Sequence, residues 1–147
     1  MHYKRLPRHS RPASILLKRA ARLALTSEQR AHPAHEYGHA PLEAGDVLVD
    51  ETGGFLVIDP APEPVVSLRG DAASLLQAAV ALGAQQVPVA VQDDYLLVLP
   101  GPYVHALEHE LGLKAQALEA PFTPVRNVIA EHSHAHHDCG HEHHHSH

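Results

Sequence analysis

The sequence predicts an α+β protein: a small β-rich amino-terminal domain, a ferredoxin-like βαββαβ domain and a disordered His-rich tail. Three observations carry that expectation. Past residue 62, apolar runs alternate between strand and helix periods in the order β-α-β-β-α-β, with short connections. Ahead of them, two apolar runs flank a Gly-Gly turn. The last seventeen residues, EHSHAHHDCGHEHHHSH, hold nine histidines and little to bury. A length of 147 residues suits one domain or two very small ones.

The boundaries follow from shifts in pattern. Residues 1–22 form a basic segment, 23–60 the β-rich domain, 61–122 the ferredoxin-like domain and 123–147 the tail. Within the first part, ILLKRAARLALTSEQR (15–30) fits either a strand or a short helix. HPAHEYGHAP (32–41) carries three His, two Pro and a Gly and reads as a loop. Val47, Leu48 and Val49, then Phe55 to Ile58, are the two strands of a hairpin that turns at Gly53 and Gly54. Pro60 and Pro62 mark a hinge.

EPVVSLR opens the second unit as a strand. Asp71 suits the N-cap of a helix whose apolar positions are Leu75, Leu76, Ala79, Val80 and Leu82, with Gly83 at its end. VPVAV (87–91) and YLLVL (95–99) are strands joined through Asp93 and Asp94. Pro102 opens a second helix, Val104, Leu107 and Leu111 are its apolar face, and Gly112 closes it. LKAQALEAPF is the last strand.

The tail carries the chemistry. Neutral imidazole is the commonest side-chain metal ligand and suits zinc, copper and nickel. The candidate ligands are His132, His134, His136, His137, His141, His143, His144, His145 and His147, with Cys139 as a thiolate and Asp138 and Glu142 as oxygen donors. A mobile segment wraps an ion at an ordering cost, which keeps affinity modest and exchange fast. That suits collecting and handing over metal. A catalytic site needs rigid ligands and an open position. The histidines are interrupted by Ser, Ala, Asp, Cys, Gly and Glu, unlike a purification tag. His105 and His109, four apart on the second helix and opposite its apolar stripe, are a further candidate pair. His32, His35 and His39 form a weaker loop cluster.

Composition removes other classes. No phosphate loop, G-x-S-x-G elbow or H-E-x-x-H is present, so nothing requests an enzyme. The formal charge is −6, yet residues 1–30 hold eight of the eleven basic residues against one acid. Such an arm reads first as a solvated segment, and otherwise suits nucleic acid or an acidic partner. Aromatics at 4% and the absence of Trp argue against stacking on bases. The single Cys139 rules out an intramolecular disulfide and fits a reducing compartment, with the cytoplasm as default. The Arg-rich opening superficially resembles a transit peptide. No apolar run approaches the ~20 residues of a membrane span.

Several stretches, in order, resemble the UreE family of urease accessory proteins, nickel metallochaperones: LTSEQRAH (25–32), GDVLV (45–49), APEPVVSL (61–68), LLQAAVALGAQQVPVAV (75–91), APF (120–122) and the tail. The resemblance implies an amino-terminal β domain and a ferredoxin-like domain that pairs with its twin as a homodimer. It also implies nickel delivery to the urease apoprotein with an accessory GTPase complex. Zinc and copper are further cargoes for such a tail, and a nickel or zinc buffer without urease is the alternative. Three departures stand out. Only HPAHEYGHAPLEA separates the first two motifs, so the first domain is shortened. Gln86 stands where the family's interface histidine is expected. GPYVHALEH replaces the family's His-containing helix start, where His105 lies one turn along.

Overall fold

The computed structural model describes residues 3–7, 11–12, 17–31, 41–126 and 128–129. It is a mixed α+β structure with two four-stranded sheets. The first sheet contains β1 (Tyr3–Arg5), β2 (Ala21–Leu25), β3 (Val47–Asp50) and β4 (Phe55–Pro60), in the order β1-β3-β4-β2. A short helix, α1 (Ser27–Ala31), follows β2, so the ambiguous stretch 15–30 holds both a strand and a helix.

The hairpin β3–β4 forms where the Gly-Gly turn places it. The Asp50 carboxylate accepts hydrogen bonds from the Thr52 N–H, the Thr52 hydroxyl and the Gly54 N–H, at 2.9, 2.7 and 2.7 Å. Those donors, led by the Thr52 side chain, hold it below the usual carboxylate range. Gly53 sits at φ 86°, and a Cβ on Gly54 would lie 2.8 Å from an Asp50 oxygen. The turn therefore wants glycine at both positions.

The basic opening corrects a sequence expectation. It is not merely a solvated segment: β1 pairs antiparallel with β3, Tyr3 opposite Asp50 and Arg5 opposite Leu48. Arg5 and Arg11 each reach the Asp46 carboxylate at 2.6 Å, and Asp46 is 1% exposed. Burial pushes the Asp46 carboxyl up from its ordinary value, while the two guanidinium groups pull it down. Arg22 pairs with Asp59 at 2.7 Å. Three of the arm's cations are therefore engaged within the fold, which weakens the nucleic-acid reading. A small apolar cluster of Leu42, Leu48 and Ile58 fills one face of this sheet, flanked by Tyr3, Leu25 and Leu56.

The second sheet contains β5 (Pro62–Arg69), β6 (Val89–Val91), β7 (Leu96–Val98) and β8 (Lys114–Pro121), in the order β6-β7-β5-β8 with every pair antiparallel. With α2 (Ala72–Ala84) and α3 (Tyr103–Leu111) between them, the elements keep the expected βαββαβ succession. Strand alternation splits the core into two layers. Val66, Leu68, Leu96 and Val98 meet Ala78 and Leu82 of α2 and Leu107 of α3. Val65, Ala90 and Leu97 pack with Phe122 in a separate cluster.

Helix α2 departs from the expectation in two ways. Asp71 does cap it, accepting the Ser74 N–H at 2.7 Å. Its buried positions, however, are Ala78 and Leu82, whereas Leu76 and Val80 stand 68% and 72% exposed. Helical spacing alone could not tell the covered face from the open one, because both faces carry apolar residues. Nor does the helix stop at Gly83. It runs through Ala84, and the chain reverses at Gln86, in the left-handed region at φ 57°. The Gln86 N–H reaches the Gly83 carbonyl at 3.0 Å and the Val87 N–H reaches that of Leu82 at 2.9 Å. This is the paired closure of a Schellman turn, with glutamine in the place glycine prefers. Helix α3 ends as expected on Gly112, at φ 66°. Among the described residues, no helix is long and apolar enough to cross a membrane.

Candidate metal centre

Of the residues singled out as metal ligands, the structure places two, His105 and His109 on α3. Residues four apart on a helix differ by about 40° around its axis. Both histidines therefore share the face opposite Leu107, which is buried. Their rings lie near parallel, 14° between planes and 6.3 Å between centroids, and both residues are exposed. The tail ligands His132, His134, His136, His137, Cys139, His141, His143, His144, His145 and His147 lie outside the described residues, as do His32, His35 and His39. Among the described residues, no group of three or more His, Cys, Asp or Glu is positioned to hold an ion.

What the structure does show is where the chain heads before the tail. After β8, the Phe122 carbonyl is held by Arg30, 2.6 Å away. The Val125 N–H then donates to the Val89 carbonyl of β6 at 2.9 Å. β6 and β8 are opposite edges of the second sheet, so residues 122–125 cross from one edge to the other. The chain thus leaves toward the tail beside the strand that follows Gln86. Val128 and Ile129, beyond the crossing, are exposed.

The LTSEQR motif sits at the seam between the sheets, and its chemistry explains its letters. Thr26 and Gln29 form a capping box at the start of α1: each side chain accepts the other's backbone N–H, at 2.9 and 3.3 Å. Ser27 donates both its N–H and its hydroxyl to the Glu63 carboxylate of β5, at 2.8 and 2.6 Å. Arg30, 4% exposed, donates to the carbonyls of Leu25 and Phe122 at 2.6 Å each. Burial lowers its affinity for the proton and the charge of Glu63 restores part of it. A cavity of about 460 Å³ opens at this seam, walled by Leu42, Leu99, Phe122 and other largely apolar groups, with Arg30 and Arg126 among the lining residues. The capping-box spacing was readable from sequence. The long-range partners of Ser27 and Arg30 were not, because they depend on how the two sheets meet.

The family model described as UreE urease accessory protein, C-terminal domain, matches residues 63–147, which hold the second sheet from the second residue of β5 onward and the tail. The chain belongs to the UreE family. Curated relatives agree. The chain is 30% identical over 159 residues to the urease accessory protein UreE of Albidiferax ferrireducens, covering 95% of this chain and 91% of that protein. It is 30% identical over 139 residues to the UreE of Cupriavidus necator, covering 84% of this chain and 72% of the relative. Against the UreE of Burkholderia ambifaria it is 36% identical over 97 residues, which span 65% of this chain and 48% of that protein. UreE proteins are accessory chaperones, not enzymes. That agrees with the lack of a catalytic signature in the sequence.

Proposed function

We propose that this chain is a nickel metallochaperone of urease maturation. The carrying observation is the coincidence of UreE membership with nine histidines in residues 131–147. The tail collects Ni²⁺ through imidazoles, with Cys139 adding a thiolate, and passes the ion by ligand exchange toward the urease active site. The folded part acts as the platform, with the urease apoprotein and its accessory GTPase complex as partners and the cytoplasm as the place of action.

Two features of the fold support this reading. The crossing at residues 122–125 brings the chain to the β6 edge at Val89, near the Gln86 turn, ahead of the tail in sequence. An ion collected there is delivered near the position where the family's shared histidine is expected, so tail imidazoles compensate for an amide that is a poor nickel ligand. Leu76 and Val80, one turn apart and exposed on α2, supply an apolar patch for a second copy in a homodimer. The proposed domain boundary lies at Pro60–Pro62, with residues 1–22 belonging to the first domain through β1. Copper(II) binds such donors more tightly than nickel by the general affinity order, so selectivity rests on supply and partners. Binding weakens as pH falls through the imidazole range near ~6.5.

Urease activity in cells lacking their own UreE tests the reading. The intact chain restores activity at limiting nickel, and a chain without residues 131–147 restores less. Equal rescue by both chains counts against the tail. Nickel binding in vitro without any rescue by either would favour a buffer.

A further inference from the structure

We infer that His105 and His109 chelate one divalent transition-metal ion on the folded part of the molecule, independently of the tail. The proposal above bears on which ion reaches this site, not on whether the site exists.

The two side chains leave α3 on one face, opposite buried Leu107, and that face is open to solvent. Their rings already lie near parallel at 14°. Metal–nitrogen bonds of ~2.0–2.1 Å require the coordinating nitrogens to approach within about 3–4 Å. The present 6.3 Å between centroids therefore closes by tilting the rings about side-chain torsions, with the backbone fixed. Both residues are exposed, so packed neighbours do not block that tilt. Side chains four apart start with Cβ atoms ~5–6 Å apart, a span one ion can bridge.

The surroundings favour a cation. His109 occupies the last turn of α3, where unpaired carbonyls present the negative end of the helix. Among the described residues, neither histidine is engaged in an ion pair. Imidazole nitrogens suit nickel, zinc or copper(II).

The test uses the full-length chain with the nine tail histidines and Cys139 replaced by Ser, metal-stripped and titrated with Ni²⁺ in equilibrium dialysis. The expected result is one ion per chain, lost when His105→Ala or His109→Ala is added. Alanine is the better helix former, so helicity by circular dichroism should hold in both variants. Copper(II) loaded on the tail-silenced chain should show two nitrogen donors by electron paramagnetic resonance. Failure of the tail-silenced chain to take up nickel, or uptake unchanged by both alanine variants, overturns the inference. Undiminished total uptake on silencing the tail instead sinks the collecting role proposed above and leaves this site standing.

Discussion

The two sheets have the same number of strands and are held together by different forces. The second buries an apolar layer under two helices and another around Phe122. Among the described residues, the first gathers a smaller cluster of Leu42, Leu48 and Ile58, buries Val47 and Val57 besides, and adds a buried charge, Asp46, gripped by Arg5 and Arg11. Apolar burial contributes roughly in proportion to area. A buried ion pair returns little net stability when intact and costs much when broken from one side. Away from buried Glu63 on β5, the second sheet should therefore tolerate changes of charge and resist changes of volume, and the first should do the reverse.

Leu68→Ala should produce the largest loss. Leu68 is fully buried between β5 and the helices, and such truncations cost about 2–5 kcal/mol. Urea denaturation should place it in the upper half of that range and place Leu48→Ala, in the smaller cluster, in the lower half. Equal losses would erase the contrast. Asp46→Ala comes next. It leaves two guanidinium groups, 20% and 25% exposed, without their carboxylate, and partial solvation trims the usual penalty to about 2–3 kcal/mol. Hydrogen exchange sharpens the point: amides of β3 should exchange faster while those of β5 keep their protection.

Much of the second sheet was legible because period, caps and turn residues agree there. The Asp71 cap, the Gly112 stop and the βαββαβ order could all be read from letters alone. The misread positions have a common cause. Gly83 was the natural stop for α2, yet the closure fell on Gln86, since hydrogen bonds from Gln86 and Val87 offset the strain of a non-glycine left-handed residue. Leu76 and Val80 looked like core because period marks a face but not what covers it. The Lys4–Arg5 stretch looked solvated, since its acidic partner Asp46 lies some forty residues downstream. For the candidate metal centre, the tail ligands expected from residue types lie outside the described residues. Sequence also placed His105 beside His109, and only the structure showed their rings parallel and open to solvent.

Gln86→Gly should relieve the left-handed strain and raise stability by about 1 kcal/mol, visible as a higher melting temperature. A loss would mean that the glutamine side chain does more than close α2. The smallest effects are those of pH. Asp71 is held below the ordinary carboxylate value by the Ser74 N–H. Its contribution is complete above the unfolded value of ~3.9 and is lost as pH falls through the depressed folded value. Asp46 runs the other way: burial raises its folded value, so its own contribution declines as pH rises from ~3.9 through that value. Carboxyl carbon titration by NMR should show the two midpoints on opposite sides of ~3.9.

The central claim is that the carboxyl-terminal histidines do the collecting while the fold serves as platform. Nickel stoichiometry by isothermal titration tests it most directly, comparing the intact chain with the full-length chain whose tail ligands are replaced by Ser. The expected result is more than one ion on the intact chain and a single ion, held by α3, on the variant. Identical stoichiometry and affinity in the two proteins would contradict it.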